Sequence, residues 1–241
     1  MAPITIHRAE TRGTADHGWL LSRHTFSFAD YHDPERMGFG LLRVINDDIV
    51  APGKGFDTHP HRNMEIISIP LQGALRHADS MGHNTVIPAG EIQLMSAGSG
   101  VSHSEYNASD HESVAFLQIW VYPATKNTEP RYFQKAFDPA RRHNRFQLLV
   151  SPDGREESLV INQQAWFSMI DLQANTSAIY HLHGKHSGLY LFVLEGNVKA
   201  HGEALAKRDG MGISAESTVM LQASSATRIL CMEVPMEALE A

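Results

Sequence analysis

A single cysteine, Cys231, is the scarcest resource of this 241-residue chain. One thiol excludes any disulfide framework within the chain and any thiolate metal cluster. Positive charge is also short: 20 Lys and Arg face 27 Asp and Glu, for a formal net charge of -7. That balance argues against direct binding of nucleic acid through bulk charge. No apolar run approaches the roughly 20 residues a membrane-spanning helix needs, and Met1–Glu10 lacks the apolar centre of a signal peptide. The expected location is the cytoplasm, with no membrane partner. A clean 3.6-residue apolar period over a dozen residues is missing as well, so long helices are not expected; one helical turn is expected near Met236–Leu239.

What the chain does have is a succession of short, branched, apolar runs cut by Gly, Pro, Asn and Asp. Leu41–Val50, Met64–Leu71, Glu91–Met95 and Val114–Tyr122 read as strands. Phe146–Val150, Trp166–Leu172, Leu189–Leu194, Thr218–Leu221 and Ile229–Val234 form a second series. Between them, Pro123–Asn144 has two further prolines and several arginines, the composition of a crossover. The pattern is that of an all-β protein. Its expected domains are an N-terminal barrel over 1–125, a linker over 126–145 and a C-terminal barrel over 146–241.

Histidine is abundant, at fifteen residues. Residues i and i+2 of a strand project from one face, so His59 and His61 form one pair, and His103 and Glu105 another. Two such strands can bring three imidazoles and a carboxylate to one point. This donor set suits a divalent transition metal: Fe(II) first, with Ni, Cu, Mn, Co or Zn also tolerated. Glu65, an even number of residues beyond His61, is an alternative fourth ligand on spacing alone. Pro60 places its strand at an edge, a bulge or a strand start. His181, His183 and His186 tempt a second site, but no glutamate follows at matching spacing. His77 and Asp79 are expected to hydrogen-bond within a turn. His24, Phe26 and Phe28 alternate and could line a cavity wall or fill a core, with the core as the expected reading, and Cys231 is expected buried and inert.

Two longer motifs surround the candidate ligands. Gly55-Phe56-x-x-His59-Pro60-His61 and Met95-Ser96-Ala97-Gly98-x-Gly100-x-x-His103-Ser104-Glu105 resemble the two cupin motifs as they occur in the pirin family. His17-Gly18-Trp19-Leu20, His24-Thr25-Phe26-Ser27-Phe28, Met37-Gly38-Phe39, Arg43-Val44-Ile45-Asn46-Asp47 and His77-x-Asp79-Ser80-x-Gly82 strengthen the resemblance. It is dense over the first half of the chain, and departs from the pattern at Asn63-Met64, where Gly-Phe is usual. The chain most resembles the short bacterial pirins with quercetin 2,3-dioxygenase activity. The resemblance implies a bicupin of two jelly-roll-like β-barrels, with one metal in the N-terminal barrel and none in a degenerate second one. It implies His59, His61, His103 and Glu105 as ligands, favouring Glu105 over Glu65, with Glu105 also serving as catalytic base. The implied substrates are O2 and a small, enolisable aromatic such as a flavonol, whose ring is cleaved with release of CO. The alternative it leaves is an iron-binding, redox-sensing regulator whose partner is a transcription factor or a metabolic enzyme. The default assembly is a monomer.

Overall fold

A computed structural model describes residues 3–237 of the chain. The chain divides into two compact units: Gly13–Gly38 with Leu42–Phe137, and Met1–Arg12, Phe39–Leu41 and Asp138–Ala241. Each is built from one seven-stranded and one four-stranded sheet.

In the first unit the larger sheet runs, in spatial order, Arg131–Ala136, Glu91–Ser96, Glu65–Gln72, Val114–Val121, Leu42–Val50, Leu20–His24 and Gly13–Asp16. The smaller runs Gly55–His61, Val101–Asn107, Ala74–Asp79 and Asn84–Pro88. The central strands are the branched runs read from the sequence. Val114–Val121 pairs on both sides, and its ladder slips at Ala115/Phe116, opposite Pro70, which has no N–H to offer. Gly55–His61 lies at an edge of its sheet, a position that tolerates Pro60.

Strand alternation sorts the side chains. Along Val101–Asn107 the odd residues Val101, His103, Glu105 and Asn107 are buried and the even ones partly exposed. Two apolar clusters consolidate the unit. One holds Leu20, Val50, Leu75, Ile87, Val114 and Phe116, with Trp19 and Phe56 against it; the other holds Ile66, Met95, Ala97 and Val101, with Trp120 against it. Each large side chain fully buried in this way contributes about 1.5–3 kcal/mol.

The second unit repeats the plan. Its larger sheet runs Ile4–His7, Gly210–Ile213, Ser187–Glu195, Thr227–Pro235, Trp166–Leu172, Gln147–Ser151 and Leu159–Val160. Ser177–His181, Thr218–Ala223, Asn197–Ala200 and Glu203–Ala206 form the smaller one. Sixteen buried residues, from Ile170 to Cys231, form its core.

The units do not follow the simple division at 125 and 146. Ile4–His7 pairs with Gly210–Ile213, so the N-terminal segment belongs to the second unit. Arg131–Ala136, inside the span expected as linker, pairs with Glu91–Ser96 in the first. Backbone pairing across large sequence separation decides both, and local composition carries no trace of it. The helical turn expected near Met236–Leu239 runs past the described residues. Among those residues, no helix is long and apolar enough to cross a membrane.

Candidate metal centre

His59 and His61 come from the edge strand Gly55–His61, and His103 from its neighbour Val101–Asn107. The antiparallel register sets His103 opposite His59 and Val101 opposite His61. The three rings form a nearly equilateral triangle, with centroids 4.6 Å apart for His59–His103 and 4.8 Å for the other two pairs. One nitrogen from each lies within 4.8 Å of the others.

The ladder shifts between His103 and Glu105, whose partners are His59 and Phe56, so an extra residue is accommodated on the histidine-bearing strand. Bulges of this kind re-aim side chains. Here Asp57 contributes its carbonyl to His59 Nδ1 at 2.7 Å. A carbonyl only accepts, so Nδ1 carries the proton and Nε2 keeps its lone pair for a metal.

His103 supplies the sharpest test of fit. Its Nδ1 and Nε2 are both buried and neither has a hydrogen-bond partner. An unsatisfied buried polar group costs about 1–3 kcal/mol; a coordinated cation removes that cost at one nitrogen. Burial and the neighbouring imidazoles hold His103 down to about 2, and burial with His59 holds His61 down to about 4. Both are therefore neutral near pH 7, the form that binds metals. The residues present fit a divalent transition metal.

Glu105 is also interior, 3% exposed. Its Oε1 accepts from Ser68 Oγ at 3.0 Å and its Oε2 from Gln118 Nε2 at 2.7 Å. Burial raises it to about 7 against the pull of those two donors. Its carboxylate falls within 4.8 Å of His103 and His77, a cluster that shares His103 with the histidine triad. Glu65 enters neither cluster. It lies in the larger sheet and accepts from Ser96 Oγ at 2.7 Å.

His61 and Glu105 open onto a cavity of about 320 Å³. Two edge-to-face pairs form its apolar walls, Trp19 on Phe56 and Phe28 on Trp120, each with centroids 5.3 Å apart. Ser22, His24, Asn46, Asp48 and Gln118 give it a polar side.

Comparison with known proteins follows the same lines. Residues 6–121 match the family model described as Pirin, and residues 148–234 match that described as Quercetinase C-terminal cupin domain. The chain is 41% identical to quercetin 2,3-dioxygenase of Escherichia coli K12, over 96% of its own length and 99% of the relative's. The chain belongs to the pirin family. A pirin-like protein of Caulobacter vibrioides is 41% identical over 88% of this chain and 90% of that one. The crystal structure of the pirin YhhW from E. coli superposes with a TM-score of 0.93 at 41% identity, covering 99% of this chain and all (100%) of that one. A second YhhW structure, a complex with nickel(II), gives a TM-score of 0.92 at 40% identity, covering 97% and 99%. The fold is thus the all-β bicupin of the pirins.

Against that family background, Asn63 has a plain explanation. Its φ is +51°, in the left-handed region where Gly is favoured and Asn is the best-tolerated substitute. Its side chain adds something Gly cannot, accepting the Asn127 N–H at 2.7 Å.

The second unit of this pirin uses its histidines differently. Glu233, fully buried, accepts from the backbone N–H groups of His183 and Gly184, from His183 Nδ1 at 2.8 Å and from the Tyr180 hydroxyl at 3.2 Å. His183 stacks on Trp166 with the planes 9° apart. A carboxylate thus gathers the donors of Tyr180, His183 and Gly184.

Two sequence expectations need amendment, and one group of cavity residues had none. His77 lies within the strand Ala74–Asp79, fully buried, rather than in a turn; Asp79 does hold the turn, through the Met81 and His83 N–H groups. Of the trio, Phe26 and His24 are buried and Phe28 partly so, and His24 and Phe28 line the cavity, the other reading the alternation offered. Asp48, Ser22, Asn46 and Gln118 escaped sequence reasoning. Their signal is parity: along Leu42–Val50 the even positions face inward, and Asn46 and Asp48 are polar residues at inward positions.

Proposed function

We propose that this pirin is a metal-dependent dioxygenase that opens the heterocyclic ring of a flavonol such as quercetin, releasing CO. The ligands are His59, His61, His103 and Glu105. Fe(II) is the metal proposed, on the preference of mixed imidazole and carboxylate sets with open positions; a related pirin has been crystallised with nickel(II). The observation that carries the reading is the partnerless buried imidazole of His103, at the apex of a histidine triad beside an aromatic-walled cavity.

When bound, the metal supplies Lewis acidity toward a deprotonated hydroxyl and redox access to O2. The chain's own residues do the remainder. Trp19, Phe28, Phe56 and Trp120 present apolar walls to a flat ring system and keep water from it. Glu105, whose carboxylate opens onto the cavity, would take the substrate's hydroxyl proton. Gln118 and Ser68 fix the orientation of that carboxylate. His59 is oriented by the Asp57 carbonyl.

The relatives named as quercetin 2,3-dioxygenases favour an enzyme over a regulator that binds a transcription factor or metabolic enzyme. A cytoplasmic monomer with its metal in the N-terminal barrel and none in the C-terminal one completes the proposal. The test is oxygen-dependent loss of the quercetin absorbance with CO in the headspace, in metal-loaded wild type and in His103→Ala. Turnover confined to the wild type is expected. Absence of turnover with every metal tried, or equal turnover by both proteins, overturns the reading.

A further inference from the structure

We propose that Asp48 is a specificity-determining residue, forming a hydroxyl-recognition subsite in the cavity wall that selects polyhydroxylated aromatics over those with no hydroxyl beyond the reacting one. The inference rests on the flavonol reading above and deepens it.

Asp48 is 4% exposed and lines the cavity, yet it is poorly satisfied for a buried acid. Its Oδ1 accepts from the Ser22 hydroxyl, its cross-strand partner; among the described residues Oδ2 has no hydrogen bond. Three other interior carboxylates differ. Glu233 receives four donors, Asp79 receives two backbone N–H groups and two histidines, and Glu105 has a donor on each oxygen. A buried carboxylate left half-paired is costly, and the cost is removed by a donor arriving from the cavity. Asp48 is also outside both metal-capable clusters, so a metal does not account for it.

The charge of the cavity identifies the donor. No Lys or Arg lines it, whereas Asp48 and Glu105 both do. A carboxylate or phosphate set against Asp48 would meet an acid with no Lys or Arg in the wall beside it. A ligand cation would share a low-dielectric pocket with the divalent ion that the histidine triad fits. A neutral O–H donor avoids both conflicts. Carried on a flat ring held by the aromatic walls, it is a phenol.

The test measures binding without O2 to metal-loaded protein, by quenching of tryptophan fluorescence, since Trp19 and Trp120 line the cavity. The probes are 3-hydroxyflavone, with no further hydroxyl, galangin, with two more, and quercetin, with four more. At pH 8 to 8.5, a hydrogen bond to a charged acceptor predicts that the wild type binds quercetin about 10-fold more tightly than 3-hydroxyflavone, or better. In Asp48→Asn and Asp48→Ala that ratio falls toward one, while the 3-hydroxyflavone Kd and the metal content stay unchanged. Equal weakening of all three ligands, or an intact ratio, overturns the subsite. The wild type tests it even if neither variant folds: indifference to hydroxylation also overturns it. Failure of the wild type to bind any of the three removes the flavonol reading itself, and the subsite with it.

Discussion

His77 and His103 stand side by side on paired strands, ring centroids 5.3 Å apart, with their nitrogens in opposite states. His77 is closed: Nε2 meets Asp79 at 3.0 Å and Nδ1 meets Gln93 at 3.2 Å. His103 is open at both nitrogens. Two buried imidazoles in contact thus separate into one tied to the framework and one poised for a ligand.

Substitution should separate them too. His103→Ala is expected to weaken metal binding on the order of 100-fold or more, exceeding what loss of an outer-shell partner typically costs. His77→Gln should keep the metal and lose about 1–3 kcal/mol of stability, as Asp79 and Gln93 lose their partner. Metal analysis and urea unfolding of both proteins check this; metal lost equally from both would merge the two roles.

Glu105 gives a pH signature. Raised to about 7, its carboxyl is protonated below that value and must lose the proton to ligate. Metal affinity in the wild type should fall as pH drops below about 7, and this component should vanish in Glu105→Gln. Competition titrations with a chelator from pH 8 to pH 5 measure it. Parallel profiles for the two proteins would exclude Glu105 as a ligand.

Asp48 is a stability probe with the sign of a raised acid. Burial lifts it from 3.8 to about 7, against the Ser22 bond. The folded state therefore holds its proton more tightly than the unfolded chain, a contribution complete below pH 3.8 and lost as pH rises through about 7. The full window corresponds to about 4 kcal/mol at most. Asp48→Asn lacks this dependence, so metal-free variant minus metal-free wild type should grow more favourable from pH 5 to pH 8. Denaturant midpoints at the two values decide; a flat difference would contradict the shift.

How much of this was legible beforehand varies by feature. The central strands announced themselves because Leu42–Val50, Val114–Val121 and Trp166–Leu172 are rich in branched and aromatic residues and break at turn residues. The histidine triad was legible because a two-residue spacing on a strand has one geometric meaning. The bulge that re-aims His59 was not, since ladder slips depend on the partner strand. Asp48 was hidden for a related reason: in Asn46-Asp47-Asp48, which acid faces inward depends on a parity that only the packed barrel sets. His183 was half legible; its missing downstream glutamate argued against a cupin site, but nothing local pointed to Glu233, 50 residues on.

That hydrogen-bonded cluster carries its own expectation. Glu233→Ala strips the acceptor from two backbone N–H groups, an imidazole and a phenol. Each buried donor left without an acceptor costs about 1–3 kcal/mol. Calorimetry should show the second unit destabilised, with metal content per chain unaltered. Loss of metal from this variant would instead point to a ligand role for the second unit.

The pairing of Ile4–His7 with Gly210–Ile213 has a practical corollary for anyone dissecting the molecule. A gene fragment starting at the second series of strands would omit the outermost strand of its own larger sheet, leaving the amides and carbonyls of Gly210–Ile213 bare along one side. Such a fragment has a ready template for self-association. Circular permutation, which can join residues 1–12 to the far end of the chain, is the route by which this unit can be isolated with its sheet whole.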